Sequence, residues 1–170
     1  MGYIKILNLI KVQYLTKETF KNKIKQKTKT KMPVITKTIS VETKKDTDLI
    51  DITNQVSAVL KSSGLAQGIA TVFVPGATGS VSTIEYEPGL LKDIPEALER
   101  IAPSGINYEH HKTWGDDNGK SHVRATFLGP GIVVPFINSQ LILGTWQQIV
   151  FMDFDTKARK RKLIVQVMGE

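Results

Sequence analysis

Between Ile35 and Val41 apolar and polar residues alternate one for one (Ile35-Thr36-Lys37-Thr38-Ile39-Ser40-Val41), the period of a strand with one face buried. The period then changes. Leu49, Ile52, Val56, Val59 and Leu60 recur at helical spacing and Ser62-Ser63-Gly64 stops the run, which predicts an amphipathic helix over 47–62. Gly68 to Val74 is a short apolar run bounded by glycine and proline, the mark of a buried strand, and Pro75-Gly76 turns the chain. Ser80 to Tyr86 reads as another strand, closed by Pro88-Gly89. Leu90, Leu91, Ile94 and Leu98 suit a second helix, with a start or kink near Pro95. After a loop at 102–120, the runs 122–128, 132–137, 140–143, 147–154 and 162–168 read as strands, separated by Gly, Pro, Asn or charge.

The order is thus β-α-β-β-α followed by several strands in a row. Strands joined by short turns pair antiparallel, so the pattern predicts an α+β domain: a mainly antiparallel sheet with two helices on one side. No regular strand–helix alternation supports a doubly wound or barrel fold, and no internal repeat is visible.

A chain of 170 residues, 41% hydrophobic, suits one compact domain. Its formal charge of +7 changes that picture once it is split. Residues 1–31 hold nine lysines against Glu18 alone, whereas 32–170 are close to neutral. Lys21 to Lys31 alternates lysine with polar residues and has little to bury. Residues 1–31 therefore read as a basic, disordered arm, with Met32 as an alternative start, and 32–170 as a single domain. Lys21 to Lys31 has no interleaved aromatic residue and could read only phosphate charge, a weak case for nucleic acid. The second basic cluster, Lys157 to Lys162, lies between two apolar runs and reads as a solvated hairpin turn.

There are no cysteines, so disulfides, thiolate zinc sites and a Cys nucleophile are excluded, and a reducing, cytoplasmic setting fits. No apolar run approaches the roughly 20 residues that span a bilayer. Residues 1–16 are broken by Lys5 and Lys11 and do not read as a signal peptide, so no membrane partner is expected.

Chemistry concentrates between Asn107 and Gln148. All three histidines (His110, His111, His122), the pair Asp116-Asp117 and both tryptophans fall there. Imidazole is the side chain best suited to ligate a metal or exchange protons near neutral pH. Three readings stand side by side. One imidazole of the adjacent pair could join His122 and an Asp in a divalent-metal or acid–base site. Asp116-Asp117-Asn118-Gly119 could equally be a plain turn bearing ordinary histidines. Trp114 and Trp146 could anchor a subunit interface. His111 is expected to face away from His110, as neighbours on an extended chain do. No phosphate-binding glycine loop of the Gly-x-x-x-x-Gly-Lys type, no Gly-x-Gly-x-x-Gly, no Gly-x-Ser-x-Gly and no His-Glu-x-x-His occurs. Gly76-Ala77-Thr78-Gly79-Ser80 could offer amides to an anion, although a turn is the simpler reading. Lys120 and Arg124 could contact phosphate, although basic residues beside a loop are more often just solvated.

Ser121-His122, Leu128-Gly129, Pro135 and Gly144-Thr145-Trp146-Gln147, with Asn107-Tyr108-x-His110 upstream, resemble the YjbQ-like family in order and spacing over about 32–169. That family began as an uncharacterised one and is now often described as secondary thiamine-phosphate synthase-like. The resemblance implies a small α+β fold assembled as a homotrimer, with a polar, metal-binding pocket. It implies an enzyme that joins a pyrimidine diphosphate to a thiazole phosphate with release of pyrophosphate. On this basis His110, His122 and Asp116 are expected to hold a divalent metal, zinc or magnesium. Glu85, Asp93, Asp117 and Gln147 are expected to serve the chemistry. A small phosphorylated metabolite is the expected partner besides the chain itself. The alternative is a non-catalytic trimeric protein that binds a small anionic metabolite or a metal, and turnover separates the two. One departure stands out: many members carry a histidine where this chain has Gly76.

Overall fold

A computed structural model describes residues 32–170. The expected arm, residues 1–31, lies outside the described residues. Eight strands and four helices follow in the order β1 (Val34–Glu42), β2 (Asp48–Asp51), α1 (Thr53–Ser63), β3 (Gln67–Phe73), β4 (Gly79–Ile84), α2 (Leu90–Ile101), α3 (Glu109–Trp114), α4 (Gly119–Leu128), β5 (Gly131–Ile137), β6 (Gln140–Leu141), β7 (Gln148–Asp153) and β8 (Lys160–Gly169). The strands form two sheets, β1-β8-β3-β5-β6 and β2-β7-β4, in which every pairing is antiparallel.

The alternation seen in the sequence explains the layering. Ile39 and Val41 of β1, Ala70 and Val72 of β3, Val134 and Phe136 of β5 and Leu163, Val165 and Val167 of β8 turn to one side of the large sheet. They meet Val81, Ile149 and Phe151 of the small sheet and Val56, Val59 and Leu60 of α1 in one buried cluster. Burying such side chains, at about 25 cal/mol per Å² of apolar surface, is the main driving force for the fold. Strand β7 is buried on both faces. Its Val150 and Met152 point the other way, with Leu49 of β2, and pack against Leu98 of α2 and Ala125 of α4. This is why Ile149 to Met152 is an unbroken apolar run rather than an alternating one.

The α+β class and antiparallel pairing agree with the sequence pattern, but the expectation of one sheet and two helices does not. Residues 48–51, expected inside a helix, are strand β2, paired with β7. Leu49 and Ile50 face opposite clusters, and the helix begins only at Thr53. There Asp51 Oδ1 accepts from the Thr53 N–H and hydroxyl at 2.8 and 2.6 Å, and the Thr53 Oγ1 accepts from the Ile149 N–H at 2.8 Å. The side chains that looked like two helical turns are a strand end and a helix start fused in sequence. The expected strand 122–128 is helix α4, and part of the expected loop 102–120 is helix α3.

The Lys157 to Lys162 segment is not a hairpin turn. Strands β7 and β8 belong to different sheets, so it carries the chain from one to the other. Arg161 turns inward, while Arg159 stays nearly half exposed. Arg161 donates to Asp153, Asp155 and Thr78, and Arg159 to Asp155, while Asp153 is fully buried. Burial pushes the Asp155 carboxyl up, but the Arg159 hydrogen bond, the Lys157 N–H and both guanidinium charges outweigh it and hold it below its usual range. Hydrogen bonding to Asp153 likewise raises Arg161. Paired and hydrogen-bonded in this way, the Asp153 and Asp155 carboxylates can stay buried.

Candidate functional site

Helices α3 and α4 are joined by only four residues, 115–118, and two glycines make that possible. Gly115 closes α3 at φ 67, a left-handed conformation that glycine adopts without penalty. Gly119 opens α4 against the preceding segment: a Cβ there would sit 2.4 Å from Tyr108 Cβ and 3.3 Å from His110 Cβ. The close approach brings the His110 and His122 rings together, centroids 4.4 Å apart and planes tilted by 50°. Asp116, on the connection, sets Oδ1 3.5 Å from His110 Nε2. The Asn118 side chain places a buried Oδ1 with no hydrogen-bond partner among the described residues. Tyr108 fixes the start of α3 by donating its hydroxyl to the Pro103 carbonyl at 2.9 Å.

Three expected site residues therefore cluster: His110, His122 and Asp116. His111 does diverge from His110, but on a helix rather than an extended chain, and its Nδ1 lies 2.6 Å from the Asp116 carbonyl oxygen. Asp117 is exposed and makes no hydrogen bond or ion pair among the described residues. Gln147 donates to Thr83 Oγ1 at 3.3 Å and accepts from the Gly144 N–H at 2.8 Å, beside a groove of about 260 Å³ on β5. Glu85 follows β4, Asp93 occupies the first turn of α2, and both are exposed. None of these four makes a polar contact with the histidine pair.

Lys120 and Arg124, expected to contact phosphate or simply to be solvated, are buried at 8% and 3% exposure. They face a cleft of about 390 Å³ with Glu99, Glu96, Asp46 and Thr47. Arg124 donates to the Ala102 carbonyl, Thr47 Oγ1 and Glu99 Oε1. Hydrogen bonds from the Ser104 hydroxyl, from Arg124 and from the Ser104 N–H hold the Glu99 carboxyl down at about 2. The spacing of Lys120, Ser121, Arg124 and Ala125 is helical, but three of the four are polar, so hydrophobic periodicity carries no trace of it. Among the described residues no helix is long and apolar enough to cross a membrane.

Residues 37–170 match the family model for UPF0047 protein YjbQ-like. A UPF0047 protein of Methanothermobacter thermautotrophicus is 41% identical over 139 residues, covering 82% of this chain and 95% of the relative. The UPF0047 protein YugU of Bacillus subtilis is 31% identical over 78% of this chain and 98% of its own length. Among solved structures, a YbjQ-like protein of unknown function from Sulfolobus solfataricus superposes with a TM-score of 0.77 at 34% identity, covering 82% of this chain and 99% of that one. A hypothetical protein from Aeropyrum pernix gives 0.75 at 32% identity, over 80% and 99%. The chain belongs to the YjbQ-like UPF0047 family. These relatives are described by family or as being of unknown function, which overturns the expected assignment of a thiamine-phosphate synthase.

Proposed function

We propose that His110, His122 and Asp116, where α3 meets α4, form a divalent-cation site of the zinc class, in a self-associating binding protein. One observation carries the reading. His110 Nε2 and Asp116 Oδ1 stand 3.5 Å apart, longer than the roughly 2.9 Å of an ordinary N–H···O hydrogen bond. It is close to the about 3.4 Å that separates two ligands, each about 2.1 Å from a tetrahedral ion. The donor set points the same way: two imidazoles favour zinc, whereas magnesium prefers oxygens and retained water. The unpaired Asn118 Oδ1 adds an acceptor facing no protein donor. Among the described residues no three His, Asp or Glu side chains converge on one point, so uptake requires a ring or the Asp116 carboxylate to turn. Bound there, the ion would act as a Lewis acid or hold a ligand oxygen.

Calorimetric titration of metal-stripped protein with zinc, checked by elemental analysis, tests the proposal. His110→Ala and His122→Ala are each expected to weaken uptake at least tenfold, while His111→Ala retains it. Wild-type protein that takes up no zinc at neutral pH ends the reading. Assembly as a homotrimer belongs to the same proposal and rests on the resemblance and on the apolar outer face of the large sheet.

A further inference from the structure

On the other side of the first turn of α4 the structure leaves a charge without a close partner. Lys120 is buried to nine-tenths, yet its Nζ makes no hydrogen bond among the described residues. Its nearest counter-ion is Asp46 Oδ1 at 3.7 Å, on a carboxylate that is itself half exposed. The side chain lines an open cleft. The helix N-terminus is the positive end of the peptide dipoles, the first turn of α4 holds no acidic residue, and Arg124 stands one turn further on.

The cleft carries three carboxylates, Asp46, Glu96 and Glu99, against Lys120 and Arg124, and none of the three accepts a hydrogen bond from Lys120 Nζ. Arg124 is engaged with a carbonyl, Thr47 and Glu99. Both oxygens of Glu99 accept hydrogen bonds, from the Ser104 N–H and hydroxyl and from Arg124. Asp46 is held in place rather than drawn in. It and Thr47 both take the left-handed conformation, at φ 57 and 63, uncommon for side chains other than glycine and an outlier for a β-branched one. The turn is pinned by the Asp46 N–H donating to the Asp155 carbonyl at 3.0 Å and by Arg124 donating to Thr47 at 2.9 Å. Beneath it lies the cleft of about 390 Å³, within the size range of small-molecule sites.

We propose that Lys120 anchors a binding site for a small oxyanion, the carboxylate or phosphoryl group of a metabolite, which takes the ammonium from Asp46. This site is separate from the histidine pair and does not depend on it. The ligand oxygen sits at Lys120 Nζ, with Arg124 and Glu99 as a fixed wall. Asp46 is the competitor: its charge favours release, and its removal favours the anion.

The test is titration of the full chain with inorganic phosphate, and separately with acetate, at constant ionic strength and with a chelator present to exclude a metal-bound anion. Binding is read by calorimetry and by backbone amide shifts of residues 119–125. Saturable binding in the millimolar range or tighter is expected for at least one probe, and the probe that binds identifies the oxyanion. Asp46→Asn, an exposed change that does not touch the core, should tighten it severalfold. Lys120→Gln should weaken it at least tenfold, Lys120→Arg should keep most of it, and Lys162→Gln on exposed β8 should leave it unchanged. Absence of saturable binding by either probe overturns the proposal. So does an Asp46→Asn protein with unchanged or weaker affinity, or a Lys120→Gln protein that binds as tightly as wild type.

Discussion

Glu99 is the side chain whose titration the fold controls most visibly. Ser104, through its hydroxyl, and then Arg124 hold its carboxyl at about 2, against an ordinary value of 4.5. A carboxyl lowered in this way stabilises the fold above its unfolded value, and the contribution disappears as pH falls through the folded one. Glu99 therefore contributes fully above about pH 4.5 and nothing near pH 2. Because its side chain is 47% exposed, solvent and salt keep the effect small. Thermal melts between pH 7 and 2 should show Glu99→Gln less stable at neutrality, with the gap closing towards pH 2. A gap that stays constant would place the stabilisation outside this carboxylate. At this scale the sequence was informative where a period could be read against a partner. On β8 Arg161 faces in between Lys160 and Lys162, which face solvent, while Arg159 precedes the strand and stays nearly half exposed. The cluster looked solvated because Asp153 and Asp155, which take the arginines, become partners only when β8 crosses to the other sheet.

Elements were legible where apolar residues mark the buried side. Strands β1, β3, β5 and β8 follow the expected runs closely because one face of each meets the central cluster. Helix α4 was misread for the opposite reason. Val123, Ala125 and Phe127 alternate like a strand, while the side that is buried carries Lys120, Ser121 and Arg124. Those are held by hydrogen bonds, such as Ser121 Oγ to the Phe154 carbonyl at 2.5 Å, that no pattern of hydropathy reports. The approach of His110 to His122 was nonetheless anticipated, because the eleven residues between them are enough for the chain to fold back, although as two helices rather than a loop. Gly119 is what sets the approach of α3 to α4. Gly119→Ala is expected to destabilise the protein by about 1–3 kcal/mol, the usual cost of forcing atoms into a filled space. It should also weaken zinc uptake as His110 is pushed from His122, and the two effects are read separately by thermal melt and by titration. A variant with native stability and native zinc affinity would mean that Tyr108 yields and that the glycine does not position the site.

For the whole molecule, the sheet order places one face of the five-stranded sheet against the core and leaves the other bare among the described residues. Val133 and Ile137 of β5 are 57% and 52% exposed, with Phe73 of β3 on the same side. Pro135 continues the row between the two β5 residues, and Ile142 follows β6 nearby, its N–H donating to the Pro135 carbonyl. Trp146 stands out at 69% exposure on the loop before β7. A contiguous apolar surface of this kind marks an association site more often than a solvated wall, and aromatic side chains are the usual anchors of such contacts. No pattern along the chain could single this face out, since β5 reads as a continuous apolar run and only the topology decides which half of it is covered. The expected state is a homotrimer joined through this face. Light scattering on the purified protein should give three times the chain mass at micromolar concentration. Val133→Lys, which sets a charge where the strand already meets solvent, should shift the mass to that of one chain while circular dichroism stays native. A wild-type protein that is monomeric under these conditions would rule out the trimer, and an unchanged mass in Val133→Lys would move the interface to another surface.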